Sequence, residues 1–165
     1  MQRVRQIEAD WPEGVHRLAR FGWMESGSVR NAVSGFTRLE GTLRAFQDEV
    51  FYSMLDRIRA AAQDVAEATG CSFRFITSEG YPAVMNPPEL CRRVRASGVD
   101  YRELARPVMI TEDFSWYQQY LPGMFFFLGT GPSPALHADN FTFDEQILTV
   151  GADFWEKLIR RYGGE

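Results

Sequence analysis

The apolar positions between residues 48 and 69 recur at the spacing of one face of an α-helix. The set comprises Phe51, Met54, Leu55, Ile58, Ala62, Val65 and Ala66. Gly70 follows directly, and glycine commonly ends a helix because it adopts a left-handed backbone without steric cost. The pattern therefore predicts an amphipathic helix over residues 48 to 69.

Strict alternation of apolar and polar residues predicts strands around this helix. In residues 36 to 46, Leu39 and Leu43 share one face, while charged and polar side chains occupy the other. Residues 15 to 25 and residues 71 to 77 are predicted as two further strands. The order strand, strand, helix, strand indicates an antiparallel sheet with a helix across one face.

Two consecutive prolines, Pro87 and Pro88, accompany a change of composition, and we divide the chain into domains at residues 1 to 80 and 81 to 165. The second domain is predicted to contain three helices. They cover residues 89 to 97, a segment that begins with Thr111 as its N-cap, and residues 144 to 162.

Residues 123 to 129, GMFFFLG, are apolar without alternation. Such a run predicts a strand buried on both faces, as in the interior of a parallel α/β sheet. A strand of that kind needs neighbours on each side, yet the second domain offers only this strand and three helices. The predicted fold class is an α+β unit followed by a piece of an α/β domain, and the chain is expected to be the end of something larger.

Composition and charge exclude several classes of protein. A net charge of −4 and a pI near 5.3 argue against a nucleic-acid-binding surface. The longest uninterrupted apolar run is far shorter than the roughly 20 residues of a membrane span. Cys71 and Cys91 lack CxxC spacing and no signal peptide precedes them, so we expect a reduced, cytoplasmic setting.

His137 is the most informative single residue, because the chain has only one other histidine, His16. It follows the apolar run, in the loop PALHADNF, and open α/β sheets gather ligands at the carboxyl ends of their strands. His137 is therefore a candidate metal ligand or acid–base group; the alternative is a histidine that caps a helix or is hydrogen-bonded in a turn. Catalytic zinc needs about three protein ligands, and no HxH, HExxH or Cys/His cluster completes a site.

Five patches of the sequence, in matching order and spacing, resemble the C-terminal end of the metal-dependent amidohydrolases that include hippurate hydrolases, aminoacylases, indole-acetyl-amino-acid hydrolases and carboxypeptidase G. They are SGSVRNAVSGFTRLEGTLRAF, TEDF, LPGMFFFLG, LHADNFTFDE and a long terminal helix. The first is similar to the inserted dimerisation domain of that family, with its Asn-x-x-Pro turn and Gly-Thr-x-Arg strand. Ser34 replaces the usual proline of that turn, and Ala138 stands where a small hydroxyl residue is common.

The resemblance implies a zinc-binding α/β domain interrupted by a lid that also mediates dimerisation. In that family a pair of divalent metals, usually zinc, activates water for attack on an amide, with a glutamate as general base. His137 corresponds to the last metal ligand of the family. The other ligands and the base belong to a part that would precede Met1, so this chain alone is expected to bind metal weakly and to be inactive.

The resemblance also places Asn31 and Arg44 on the substrate side of the cleft. Arg44 could meet a substrate carboxylate through a forked pair of hydrogen bonds; the alternative is a cross-strand partner for Glu40 or an exposed charge. Glu112 and Asp113 are candidates for the wall of the active site, or alternatively acids that stabilise the dipole of a helix from its first turn.

Three functions remain open on the sequence alone: the C-terminal part of a metal-dependent enzyme that hydrolyses N-acyl amino acids or related small substrates, a non-catalytic dimerisation or binding module derived from that family, and an unrelated α+β domain. We expect a homodimer that forms through the lid, because an open sheet edge invites pairing. A separate N-terminal half is a further candidate partner. No nucleic-acid or membrane partner is expected.

Overall fold

The computed structural model describes residues 1–78 and 80–163, which form two compact units. The first unit comprises Met1–Ala83 together with Arg106–Thr111. The second comprises Val84–Ala105 and the residues from Glu112 onward. The short segment 106–111 thus belongs to the first unit, although it lies far from that unit in sequence.

The first unit is a two-stranded antiparallel hairpin with two helices. Its elements are α1 (Gln2–Ala9), β1 (Arg17–Ser26), β2 (Thr37–Ala45) and α2 (Asp48–Thr69). The ladder runs from the pair Arg17 and Ala45 to the pair Ser26 and Thr37, with a bulge at Gly22. Gly70 has a φ of 66° and donates its N–H to the carbonyl of Ala66, so α2 ends where the sequence predicts.

Helix α2 packs its apolar face on α1 and the hairpin. The buried cluster consists of Ile7, Ala19, Val50, Met54 and Ile58, and Leu43 and Ala45 of β2 pack against it. The alternation predicted for the second strand holds at this end, whereas Leu39 near its start is 44% exposed. Burial of this apolar surface is the main stabilising contribution to the unit.

The third strand predicted at residues 71 to 77 is wrong. In the described part of the chain the sheet contains only β1 and β2. A strand requires a neighbour whose N–H and C=O groups pair with its own, and this segment is instead tied to α2 by a side chain. Phe75 packs against the core, and the guanidinium of Arg59 lies 5.1 Å from the centroid of its ring.

The second unit contains three helices: α3 (Pro88–Ser97), α4 (Phe114–Tyr117) and α5 (Ile147–Tyr162). Its hydrophobic core cluster consists of Val94, Val99 and Leu158, with the side chains of Met124 and Phe126 packed against them. The helices predicted over residues 89 to 97 and 144 to 162 are confirmed to within a few residues. No helix of the described residues is long and apolar enough to cross a membrane.

The prediction that Thr111 is the N-cap of a helix is wrong. Thr111 belongs to the segment that packs in the first unit, and α4 begins at Phe114. Glu112 and Asp113 form the turn before it, where their carbonyls accept the N–H groups of Ser115 and Trp116. The helix is therefore a single turn.

The strand predicted at residues 123 to 129 is also wrong, because this segment pairs with no other strand in the described residues and is not buried on both faces. Phe127 is 52% exposed. A doubly buried strand needs strands on both sides. The segment is held by side-chain amides instead: Asn86 binds the backbone N–H and C=O of Phe125 at 2.8 and 2.9 Å, and Gln118 donates to the carbonyl of Gly123 at 2.8 Å. The described chain is thus an α+β structure without a parallel sheet.

Candidate functional site

His137 lies in a tight turn of the second unit. The N–H of Ala138 donates to the carbonyl of Ala135 at 3.0 Å, which makes Leu136 and His137 the two central residues of the turn. His137 has a φ of 67°, the one positive value for a non-glycine residue in the part of the chain that the structure describes. A left-handed backbone costs an L-residue about 1–2 kcal/mol because Cβ approaches the following carbonyl. A histidine at a position that favours glycine suggests a use for its side chain.

The imidazole of His137 is available for binding. The residue is exposed, and its ring forms no hydrogen bond or ion pair with any residue in the described ranges. The turn is closed by backbone groups alone, so the interpretation of His137 as a helix cap or a hydrogen-bonded turn histidine does not apply. A neutral imidazole nitrogen with no partner has the donor chemistry of a metal ligand.

The described residues do not by themselves fit a complete metal centre. Across residues 1–78 and 80–163, no group of three His, Cys, Asp or Glu side chains lies close enough to hold a metal ion. A catalytic zinc has about three protein ligands. A metal site that includes His137 therefore needs further ligands from elsewhere.

Glu112 and Asp113 stand immediately before α4, also in the second unit. Glu112 is half-buried and Asp113 is exposed, and neither carboxylate pairs with another side chain among the described residues. Asp113 occupies the N-cap position of α4 without making a side-chain cap, and no acid lies in the first turn. The two acids therefore lie just before the first turn of α4 and not within it.

Asn31 lies at the turn of the connection between β1 and β2, in the first unit. It is exposed, and its carboxamide makes no hydrogen bond within the described chain. The base of this connection is closed by hydroxyl groups, since Ser26 and Thr37 place their oxygens 2.7 Å apart and Ser34 accepts the N–H of Gly27 at 2.8 Å. The sequence gives no sign of this closure, because serines in a loop have no periodicity.

Arg44 is anchored inside the first unit. Its Nη1 donates to the carbonyl oxygen of Met109 at 2.6 Å, and the side chain is half-buried. The alternative pairing of Arg44 with Glu40 does not form, because Glu40 pairs with Arg38. The reason is distance: both residues lie on β2, and four residues along a strand span about 13 Å, whereas Arg38 is two residues from Glu40 and on the same face. The Nε and Nη2 groups of Arg44 stay available for an anion.

The candidate residues fall into two sets. Asn31 and Arg44 belong to the first unit, whereas Glu112, Asp113 and His137 belong to the second. Within each unit, no hydrogen bond or ion pair joins two of these residues in the described ranges. Sequence reasoning missed the groups whose hydrogen bonds fix the backbone of these segments, because a side chain that bonds to the main chain leaves no pattern in the sequence. They are Asn86, Gln118, Ser34 and the carbonyl of Met109.

Comparison with known proteins places the chain in a family. The model of peptidase family M20/M25/M40 matches residues 7–161. An uncharacterized hydrolase of Staphylococcus haemolyticus is 30% identical over all of this chain and 46% of its own length. The N-acetyldiaminopimelate deacetylase of Lacticaseibacillus paracasei is 34% identical over 79% of this chain and 36% of its own length.

A solved structure shares the fold. A chain described as "a putative aminohydrolase from methicillin resistant Staphylococcus aureus" superimposes with a TM-score of 0.77 at 18% identity, over 96% of this chain and 43% of that one. The present chain thus spans less than half the length of the relatives it matches. Since the family match covers nearly all 165 residues, the chain belongs to peptidase family M20/M25/M40.

Proposed function

We propose that this chain is the C-terminal portion of a metal-dependent amidohydrolase that cleaves the amide bond of N-acyl amino acids or related small substrates. Membership of the M20/M25/M40 family and relatives named as hydrolases support hydrolysis. A relative named N-acetyldiaminopimelate deacetylase supports an N-acyl substrate. The observation that carries the proposal is the unbonded imidazole of His137 on a left-handed turn, within the segment that matches the family.

In this proposal His137 supplies one ligand to a divalent metal, for which we propose zinc. A bound metal of this kind would polarise the substrate carbonyl and acidify water. The reaction consumes one water and releases a carboxylate and an amine. The remaining ligands and the general base would come from the part of the enzyme that lies outside these 165 residues, because His137 has no second or third ligand among those described.

We also propose that residues of the first unit bind the substrate. The carbonyl of Met109 occupies Nη1 of Arg44, which leaves Nε and Nη2 as a pair that can bind both oxygens of a substrate carboxylate. Asn31 carries a carboxamide that both donates and accepts, as an amide substrate requires. Glu112 and Asp113, which have no partner side chains in the described residues, would line the wall of the site.

We also propose that the enzyme is a homodimer that forms through the first unit. Neither outer edge of the hairpin pairs with a further strand among the described residues, and open edges of a sheet pair readily with another chain. Trp23 and Met24 on β1 are 44% and 64% exposed, which gives a partner apolar surface to cover. Sedimentation of the chain should show a dimer, and a monomer at high protein concentration would rule this interface out.

The experiment that tests the proposed reaction compares two preparations. The chain alone, and the chain mixed with a separately produced N-terminal half of a family relative, are assayed on hippurate and N-acetyl amino acids with zinc. We expect turnover that a chelator abolishes in the mixture and none with the chain alone. Turnover by the isolated chain would show that it carries its own site. A mixture that forms a complex but does not hydrolyse either substrate would favour a non-catalytic module.

A further inference from the structure

The connection between β1 and β2 is closed where the ladder ends. The hydroxyl oxygens of Ser26 and Thr37 lie 2.7 Å apart across the last paired residues. Just beyond them, Ser34 Oγ accepts the N–H of Gly27 at 2.8 Å. The hydroxyl of Ser34 therefore joins the two arms of the connection at the point where backbone pairing stops.

Ser34 also binds the residue that leads into β2. Its Oγ donates to the carbonyl oxygen of Phe36 and accepts the N–H of Phe36 at 3.3 Å. One hydroxyl thus contacts three backbone groups, which is possible because it is both donor and acceptor. Side chains 28 to 33 make no hydrogen bond or ion pair with the described part of the chain. Between the Ser26–Thr37 pair and the turn at residues 30 and 31, the bonds of Ser34 are therefore the side-chain contacts that hold the two arms of the connection together.

The part of the connection that Ser34 closes carries two polar residues, Arg30 and Asn31, among exposed apolar ones. Asn31 is exposed at the turn, and Val29 and Val33 on either side of it are 57% and 98% exposed. An N-acyl amino acid offers the complementary chemistry, since its amide accepts and donates hydrogen bonds and its acyl group is apolar. A carboxamide with apolar neighbours can bind both features at once.

We infer that Ser34 is a positioning residue, which holds the β1–β2 connection in the shape that presents the Asn31 carboxamide to the amide of an N-acyl amino acid. The inference rests on the proposed function for the identity of the ligand. It adds a residue that orders the binding loop, and it assigns that ordering to the hydroxyl at position 34.

The test uses the complete chain, with hippurate as the probe. Amide exchange of Gly27 and Phe36 reports whether the connection is closed, and the NMR shift of the Asn31 side-chain NH₂ on addition of hippurate reports binding. We compare Ser34→Ala, which removes the hydroxyl, with Ser34→Thr, which keeps it. Ser28→Ala is the matched control, because Ser28 lies in the same connection and its hydroxyl makes no bond in the described structure.

Loss of the hydroxyl in Ser34→Ala should accelerate exchange of the Gly27 and Phe36 amides about three- to tenfold, as expected for one or two net hydrogen bonds. It should weaken the binding of hippurate at Asn31 by a similar factor, while Ser34→Thr and Ser28→Ala stay near wild type. The inference is overturned if hippurate leaves the Asn31 signal unmoved, or if Ser34→Ala and Ser28→Ala behave alike. This experiment measures binding and not turnover. Failure of the assembled enzyme to hydrolyse hippurate would therefore contradict the proposed function and leave the inference about Ser34 unaffected.

Discussion

The guanidinium of Arg44 on β2 donates a hydrogen bond of 2.6 Å to the backbone carbonyl of Met109, 65 residues further along the chain. This bond attaches the segment 106–111 to the first unit. The same segment leads directly into Glu112 and Asp113. Arg44, which we propose binds substrate, therefore also holds the main chain at Met109. The bond to Met109 uses Nη1, and substrate binding would use Nε and Nη2.

Replacement of Arg44 by methionine should loosen this segment while β2 remains paired. The carbonyl of Met109 loses a charged donor, and we expect proteolytic cleavage within residues 106 to 111 to become about tenfold faster, because a bond of this kind contributes about 1–2 kcal/mol. Limited proteolysis followed by mass spectrometry measures the change. Arg38→Met is the control, since Arg38 lies on the same strand, pairs with Glu40 and stacks on the ring of Trp23 without a hydrogen bond to the segment. Equal cleavage rates in the two variants would show that Arg44 does not anchor the segment.

Arg17 should be essential to the stability of the first unit. Its guanidinium donates to the carbonyls of Glu8, Trp11 and Val15 at 2.6, 2.9 and 2.6 Å, and so closes the turn between α1 and β1. Lysine is long enough to reach one carbonyl but lacks the planar fork that reaches several. Arg17→Lys should lower the free energy of unfolding by about 2 kcal/mol in urea denaturation.

The matched control for that change is Arg20→Lys. Arg20 lies on the same strand, pairs with the carboxylate of Glu8 and is largely exposed, so lysine can keep its ion pair. Its effect should stay within about 0.5 kcal/mol. If the two variants unfold at the same urea concentration, the bonds of Arg17 to the backbone do not stabilise the unit.

Glu103 should titrate below the ordinary glutamate value of 4.5, because Arg95 hydrogen-bonds to its carboxylate at 2.8 Å and its positive charge further lowers the pKa. A lowered pKa in the folded state means that the pair stabilises the second unit above the pKa of the unfolded chain, and that this contribution disappears as the pH falls through the folded value. NMR titration of the Glu103 carboxyl should show an upward shift of its midpoint in Arg95→Gln. Arg92→Gln, which removes the partner of Glu89 instead, should leave the midpoint in place; a midpoint unaffected by Arg95→Gln would contradict the assignment.

The elements that the sequence predicts correctly are those whose signals are local. Helix α2 follows from apolar spacing and from Gly70 at its end, and the hairpin follows from alternation along β1 and β2. These cues act over a few residues and need no distant partner.

The errors concern residues 71 to 77 and 123 to 129, where apolar character predicts strands. Whether such a segment is a strand depends on a neighbour that supplies backbone partners, and hydropathy contains no information about that neighbour. For residues 123 to 129, the side-chain amides of Asn86 and Gln118 supply part of the hydrogen bonding that a neighbouring strand would supply. No sequence pattern predicts such side-chain bonds.

For the candidate site, sequence reasoning identified His137 through the family resemblance but not the backbone that presents it. Glycine is the usual signal of a positive φ, and no glycine stands at this turn. The turn is defined by the hydrogen bond from the N–H of Ala138 to the carbonyl of Ala135, and the sequence does not indicate that bond.

That geometry separates the function of His137 from its contribution to stability. Glycine favours the left-handed backbone that histidine adopts at a cost, so His137→Gly should fold with a stability within about 1 kcal/mol of wild type. The same change removes the imidazole. The variant therefore tests metal ligation without the ambiguity of an unfolded protein, and His16→Ala is the matched histidine control because the ring of His16 lies edge-on to Phe46 and makes no hydrogen bond in the described structure.

The most direct test is the rate of zinc-dependent hydrolysis of N-acetyl amino acids by the chain assembled with an N-terminal half of the family, measured for wild type, His137→Gly and His16→Ala. If His137 is a metal ligand, His137→Gly should lose at least about 100-fold in kcat/KM, more than the loss typical of an outer-shell partner, with unchanged assembly and thermal stability, while His16→Ala keeps its activity. Hydrolysis by the His137→Gly assembly at the wild-type rate, with the same zinc dependence, would show that His137 is not part of the site.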